Sequence, residues 1–563
     1  MKILLVGINS KFIHSNLAIR YLSAYTKDLK YNIKIKEYTI NDLMENILRG
    51  ILEEKSDIIC FSTYIWNTEI VKKLARLIKI VTDNTKILYG GPEVSFDGKG
   101  FLEKNEGEYI IEGEGEETFR EFVIALNNKK PLSGIKGLYY KEKDGIRYNG
   151  QRENMDMNLV IFPYEENENF DNKIVYYEAS RGCPYRCKYC LSSVDRNTRS
   201  LNIERVKKDL KYFVDKKVNL VKFVDRTFNI NKEFTSEIWE YLIELGGDTC
   251  FHFEISAKLL TDDQIKILKK APEGKFQFEV GVQTTNDEVL ININRRGSYS
   301  EIKEKVIKIQ ESKNIKQHLD LIAGLPGENY KSFVNSFNQV YSLGGEELQL
   351  GFLKLLKGSL MYDEADLWGI KYSPYPPYEV LKTKDISYYE LQKLKKVEKL
   401  VDKYYNSNRF SLILDYLISK FDNSYDFYYK LSLYFTKMGY YERPISNDNY
   451  YKALIDFYIN ENGQKDNSFS EILKYEYLKY NKKRGIPDFL KKKIDKEEYN
   501  KIKESVFAAG LNIDRESMYI EKFSIDILNY IKSKEIKKDN CYVIFNIKDE
   551  EDIHYFVNNN LIK

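Results

Sequence analysis

Three cysteines within eight residues constrain this chain more than any other feature. Ser180 to Cys190 reads S-R-G-C-P-Y-R-C-K-Y-C, which sets Cys183, Cys187 and Cys190 in a C-x3-C-x2-C array. Thiolates at that spacing can wrap one face of a cubane iron–sulfur cluster, and three of them leave one iron without a protein ligand. That open corner suits a small chelating molecule. Zinc is the competing reading, but zinc usually takes a fourth Cys or His at similar spacing, and no second C-x2-C exists. The preceding K-I-V-Y-Y-E-A alternates apolar residues like a strand. The loop is therefore expected at a strand's carboxyl end, where parallel α/β folds place their ligand sites. Cys60, Cys250 and Cys541 stand alone in apolar runs and read as core thiols. Six cysteines in 563 residues are too sparse for a disulfide framework.

Upstream, strand-like and helix-like stretches alternate. K-I-L-L-V-G-I, I-K-I-K-E-Y-T-I, D-I-I-C-F-S-T-Y, K-I-L-Y-G-G and E-Y-I-I-E-G read as five strands with helices between them. This pattern predicts a doubly wound, Rossmann-like α/β domain over residues 1–128. Three loops follow strand ends: Gly7 to Ser10, Ser62 to Asn67, and Gly90-Gly91-Pro92-Glu93. Glycines there let a backbone approach a large ligand. Residues 129–172 read as a connector with a hairpin turning at Asp144-Gly145.

From residue 173 to 383 the alternation resumes. Strands carry Asp225, Arg226, Thr227 and Asn229; His252 and Glu254; Glu279, Gly281, Gln283 and Thr284; and His318 and Asp320, before the turn I-A-G-L-P-G-E at Ile322 to Glu328. With the cysteine strand and E-L-Q-L-G-F there are six units, which predicts a partial (β/α)6 barrel of the TIM type. Its polar residues recur at strand ends or on inward alternations. Residues 384–563 show long helical patterns rich in Tyr and Phe, then two alternating stretches, M-Y-I-E-K-F-S-I-D-I and C-Y-V-I-F-N-I, that read as a strand pair. Lys482-Lys483-Arg484 and Lys491-Lys492-Lys493 are short basic clusters. A mainly helical accessory domain with solvated faces is expected, the alternative being a module that docks nucleic acid.

The cysteine loop, with Tyr189 just before its last Cys, resembles the radical S-adenosylmethionine (radical SAM) superfamily. The resemblance implies that Cys183, Cys187 and Cys190 hold a 4Fe-4S cluster whose open iron chelates S-adenosylmethionine. It places Tyr189, Asp225, Glu254, Gln283, Arg295, Ile322 and Pro326 around that molecule, with Asp225 at its amino group and Arg295 or Arg296 at its carboxylate. The N-terminal loops, with the paired Gly90-Gly91 and the G-E-G-E segment at Gly113 to Glu116, resemble the cobalamin-binding domain that precedes many such cores. This implies Asn9, Ser10, Ser62, Thr63, Tyr64, Gly90, Gly91, Pro92 and Glu114 at cobalamin. The D-x-H-x-x-G frame that gives cobalt a histidine is absent. His14 lies outside any such frame and reads as a polar loop residue, leaving Tyr64 and Trp66 for that face.

The resemblance implies a cobalamin-dependent radical SAM enzyme that methylates an unactivated carbon of a small-molecule or nucleotide substrate and draws electrons from an external donor such as flavodoxin or ferredoxin. The alternatives are a non-methylating radical rearrangement or cyclisation on the same scaffold, a tRNA- or nucleotide-modifying enzyme, and a cobalamin or redox sensor. A formal net charge of +3 gives no strong field for RNA. No apolar run approaches the roughly 18 residues of a membrane helix, and Met1 runs straight into a strand with no signal peptide. The expectation is a soluble cytoplasmic protein without membrane attachment.

Overall fold

The computed structural model describes residues 1–463, 466–481, 486–490, 495–508, 517–548, 553–557 and 560–562. The chain divides into two compact units, Met1–Gly345 with Leu350–Leu391, and Glu346–Gln349 with Gln392–Lys563.

The first unit begins with β1 (Lys2–Asn9), β2 (Asn32–Thr39), β3 (Ile58–Ser62), β4 (Lys86–Gly90) and β5 (Tyr109–Ile111). These pair in parallel in the order β2-β1-β3-β4-β5. Strand β1 is buried from Ile3 onward because it is covered on both faces. Its alternation sends Leu4, Val6 and Ile8 into one core with Ile59, Phe61 and the helix Thr68–Val81. Ile3 and Leu5 enter another, with Cys60, Leu88 and Phe119. The chain order reverses between β1 and β3, which opens a crevice at their carboxyl ends.

The hairpin assigned to the connector is part of this sheet. β6 (Leu138–Glu142) pairs antiparallel with β5, and β7 (Gly145–Tyr148) pairs with β6. An exposed edge on the three-residue β5 would invite foreign pairing, and the hairpin covers it. Beyond it, Met155, Met157, Val160 and Tyr164 are buried. The rest of the connector is therefore anchored every few residues.

The second sheet contains the six expected strands. They are β8 (Ile174–Tyr177), β11 (Leu220–Phe223), β12 (Cys250–Ile255), β13 (Phe276–Gln283), β14 (Ile315–Ala323) and β15 (Glu347–Phe352), in the order β15-β14-β13-β12-β11-β8. Between β8 and β11 lies a short ribbon of β9 (Ser180–Arg181) and β10 (Arg199–Ser200). Local sequence starts the covering helices: Asn202, Asn231, Asn286 and Asn329 side chains accept first-turn N–H groups, and Thr261 and Ser298 form capping boxes with Gln264 and Glu301. Phe223, Phe228, Trp239 and Phe253 pack edge-on or tilted between sheet and helices.

A ribbon of β16 (Lys371–Tyr372) and β17 (Val380–Lys382) completes the first unit. The second unit is mainly helical, with the expected strand pair present. β18 (Met518–Phe523) pairs antiparallel with β19 (Cys541–Asn546), and β20 (Ile553–Val557) and β21 (Asn560–Ile562) extend the sheet. Both basic clusters, at 482–484 and 491–493, lie outside the described residues. The core-thiol reading fits the burial of Cys60 and Cys541, and burial pushes the Cys541 thiol up to about 12.

Glu476 is a buried carboxyl whose role is local. It accepts the N–H groups of Leu412 (2.6 Å) and Ile413 (3.1 Å), which open the helix Ser411–Ile418. Burial raises its pKa from 4.5 to about 8. The fold therefore holds this proton more tightly than the unfolded chain does. Its contribution to stability is complete below about pH 4.5 and is lost as pH rises through about 8. Glu476→Gln is expected to flatten that part of the dependence of the unfolding midpoint on pH. A midpoint with the same slope in parent and variant would contradict the assignment.

Candidate functional site

The cysteine loop leaves β8 and is pinned before it begins. Asp225, 1% exposed, follows β11 and accepts the Ala179 N–H (2.9 Å) and the Ser180 hydroxyl (2.5 Å). Gly182 has φ +89°, and a Cβ there would stand 2.3 Å from the Asn197 carbonyl oxygen, so only glycine makes this turn. Further on, Cys183 N–H donates to Asp195 O, Lys188 N–H to Ile293 O and Met361 N–H to Lys188 O. The Lys188 ammonium pairs with Glu364 at 2.8 Å.

The three cysteines line one cavity of about 210 Å3 together with Tyr189, Glu254, Gln283 and Arg295. Arg295 brings a buried cation to the sulfur. Its Nη1 lies 3.9 Å from Cys187 Sγ and donates to Tyr189 Oη at 3.3 Å, while Nη2 donates to Gly281 O. Burial raises Glu254 to about 7, with Arg226 at 3.9 Å working against the shift. Asp320 also lines the cavity, and burial, then Glu279 and Glu254, push its carboxyl well above the usual range. Gln283 Oε1 and Asp320 Oδ1 are buried without hydrogen-bond partners. Such acceptors are costly unless a ligand supplies donors.

Among the described residues, no three His, Cys, Asp or Glu side chains converge on a single metal ion. The thiols instead face a shared space, which suits a cluster better than zinc. The amino group and ribose hydroxyls of S-adenosylmethionine are donors of the kind the two orphan acceptors need. The residues thus fit both groups. His252 and His318, rings 5.4 Å apart, belong to the barrel interior, where His252 and Lys222 each meet Glu279 at 3.0 Å.

Three expected S-adenosylmethionine residues are placed elsewhere. Asp225 is not on the cavity wall, because both its oxygens are occupied in pinning the loop. Ile322 and Pro326 are also absent from the wall; Pro326 O instead accepts from the Asn292 amide. Spacing along a strand end does not reveal which neighbour a carboxylate will reach, and Arg226 and Thr227, directly after Asp225, are the ones that face the cavity.

A second cavity, of about 750 Å3, opens at the carboxyl ends of β1, β3 and β4. Asn9, Ser10, Ser62, Tyr64, Gly90, Gly91, Pro92 and Glu114 line it as expected. Thr63 does not. It is fully buried, its N–H and hydroxyl both donate to Gly90 O, and it shapes the turn from behind. Gly91 has φ +110°, and a Cβ would stand 2.5 Å from Thr63 O. A Cβ on Gly90 would meet nothing nearer than Ile111 O at 3.9 Å. That leaves a bare backbone facing the cavity, which is the cradle a corrin ring needs. Tyr64 and Trp66 stack at 4.4 Å on the wall. His14 also faces this cavity, with its Nδ1 2.5 Å from Tyr176 Oη.

Glu114 lines the cavity, but its carboxylate is already engaged. Arg199 holds it at 2.6 and 3.2 Å, and the Met155 N–H donates to it at 2.9 Å. Burial works against ionisation there, but Arg199 and Arg181 hold the carboxyl below its usual range. Arg181, Arg199, Glu116 and Glu178 form a network that the sequence reading passed over. Its signals were Arg181 in S-R-G-C and Glu116 in G-E-G-E. Arg226 lines both cavities, so the two sites adjoin at one side chain.

Three family models match successive parts of the chain. A B12 binding domain covers residues 3–123, the radical SAM superfamily covers 177–340, and a protein family of unknown function (DUF4080) covers 366–545. An uncharacterized methyltransferase of Pyrococcus horikoshii is 24% identical over 49% of this chain and 62% of its own length. The cobalamin-dependent radical SAM methyltransferase TokK of Streptomyces tokunonensis is 24% identical over 54% of this chain and 47% of its own. The chain thus spans about half to three-fifths of the length of these curated relatives. The radical SAM methyltransferase TsrM of Kitasatospora setae, solved with cobalamin and a [4Fe-4S] cluster, superposes with a TM-score of 0.57 at 14% identity, covering 67% of this chain and 79% of that one. At that identity the likeness speaks for the fold.

The two glycines predict different outcomes. Gly91→Ala is expected to destabilise the first unit by about 1–3 kcal/mol or more, from positive φ together with the clash at Thr63, read as a lowered unfolding midpoint. Gly90→Ala should leave that midpoint near the parent's and reduce cobalamin retention instead. Equal midpoints for both variants would remove the distinction.

Proposed function

We propose that this chain, whose successive parts match a B12 binding domain, the radical SAM superfamily and a C-terminal family of unknown function, is a cobalamin-dependent methyltransferase acting on an unactivated carbon. The observation that carries this reading is the adjacency of the two cavities at Arg226 within one compact unit. A group handed from one site to a substrate activated at the other needs that adjacency.

In this reading Cys183, Cys187 and Cys190 hold the 4Fe-4S cluster. Gln283, Asp320, Glu254, Tyr189 and Arg295 would orient S-adenosylmethionine through hydrogen bonds and charge, the Arg295 guanidinium supplying the positive charge for its carboxylate. Asn9, Ser10, Ser62, Gly90, Gly91 and Pro92 cradle cobalamin, while the stacked Tyr64 and Trp66 present an aromatic wall. When bound, the cluster with S-adenosylmethionine supplies a radical for hydrogen abstraction, and cobalamin supplies a transferable methyl group. The protein's part is to hold these groups and the substrate in line and to exclude water.

An external low-potential one-electron donor, a flavodoxin or ferredoxin, reduces the cluster. The substrate is a small molecule or nucleotide. Among the described residues no helix is long and apolar enough to cross a membrane.

The test is anaerobic reconstitution of the full chain with iron, sulfide and cobalamin, followed by assay of S-adenosylmethionine consumption under strong reductant. The parent should bind one cluster and one corrin and release 5′-deoxyadenosine, and the Cys183/Cys187/Cys190→Ala variant should release none. A substrate that gains one CH2 in mass supports methylation, whereas a product without that gain points to a non-methylating radical reaction. Bound zinc with no iron would sink the reading.

A further inference from the structure

The Gly-Glu-Gly-Glu segment and the residues just before the cysteines are joined by a buried charge network, of which Glu114, Glu116, Glu178 and Arg181 stand on the wall of the larger cavity. Arg181 sits at the network's centre. Its Nε meets Glu178 at 2.9 Å on its own side. Its Nη2 meets Glu116 at 2.6 Å, and its Nη1 lies 3.7 Å from Glu114, both in the B12-binding domain. The guanidinium also stands over the Tyr21 ring at 5.5 Å. Arg199 adds a second link, to Glu114 at 2.6 Å and to Asp195 at 2.7 Å.

The local geometry makes this network specific. Arg181 and Arg199 are direct partners in the ribbon of β9 and β10. Like charges directly opposite one another destabilise a strand pair. The ribbon is relieved of that repulsion by carboxylates arriving from Glu114 and Glu116, which belong to the other domain. Glu116 is the first residue of the helix Glu116–Asn127, where a negative charge is favoured by the helix dipole. Arg181 side-chain exposure is 12% and that of Glu116 is 6%. Buried bidentate and multiply paired arginines contribute little net stability, and their best-attested use is to fix register. Arg181 is two residues from Cys183, so a change in its anchor reaches the cluster cysteine through about 7 Å of chain at most.

We propose that the Arg181–Arg199–Glu114–Glu116 network is the positioning device that sets the distance between the cobalamin site and the cluster site. Its four members act through the loops they tie, so they are positioning residues. The inference rests on the function proposed above, because it needs both cofactors in place.

The test is a distance and not a rate. The parent, Glu116→Gln, Arg181→Lys and Arg199→Lys are reconstituted with iron, sulfide and cobalamin, and both cofactors are quantified. Pulsed EPR then reads the spin–spin distance between the reduced cluster and paramagnetic Co(II) in each. The parent is expected to give a single narrow distance, and the network variants are expected to lose it, giving a broadened or split distribution at parent cofactor content. Arg120→Lys, which weakens the exposed pair with Asp28 on the same domain, should keep the parent distance. Glu116→Gln keeps the side chain's shape, so it remains readable where an arginine variant folds poorly.

Network variants that carry both cofactors at the parent distance overturn the proposal. Loss of corrin from all three, with the cluster intact, overturns it as well, because the network would then bind cobalamin and not space it. A parent that takes up no corrin or no cluster refutes the proposed function itself, a separate result.

Discussion

Parallel pairing is the constraint on which the rest of this structure depends. In a parallel sheet every strand ends at the same edge, so the turns after β1, β3 and β4 meet in one crevice. The turns after β8, β11, β12 and β13 meet in another. Neither site is built from a continuous stretch of sequence. The cysteines come close, but Asp225 at the end of β11 pins the start of their loop, and Arg295, in the turn after the helix Asp287–Asn292, stands against Cys187 Sγ.

The buried charges divide the labour between the two sites. Arg295, Glu254 and Asp320 face the cluster-side cavity, where Asp320 and Gln283 each leave an acceptor for a ligand to satisfy. Arg181 lines the larger cavity, and it and Arg199 pair with Glu178, Glu116, Glu114 and Asp195. A carboxylate beside a cavity is thus not by itself a ligand contact. Glu114 and Asp225 are both acidic, both next to a site and both occupied by the protein. What separates them from Glu254 is whether a donor of the chain reaches them first.

The strands and their order of appearance were legible because their apolar runs have the length and alternation of strands and are punctuated by Gly, Asn and Asp. The six-strand barrel, the Rossmann-like domain and the C-terminal strand pair are all visible that way. The hairpin at 138–148 was visible as a hairpin but not as part of the first sheet, because an edge strand's partner is chosen by which sheet lacks cover. The anchoring of the connector is hidden for a related reason: its buried Met155, Met157 and Tyr164 show no period, and only a waiting surface makes them core.

The sequence by itself determined the chemistry and the architecture. Three thiolates at fixed local spacing can do little other than share one centre, and paired glycines before a proline fix a turn wherever they fold. Tertiary structure decided which of the remaining polar residues meet a ligand and which meet each other. Asp225 and Thr63 lie off the cavity walls, Glu114 stands on the wall of the larger cavity with its carboxylate held by Arg199, and Arg181 and Glu116 form a bridge. Those assignments depend on side-chain reach across residues 65 apart in the chain, as in Arg181 to Glu116, and no local pattern encodes a distance of that kind.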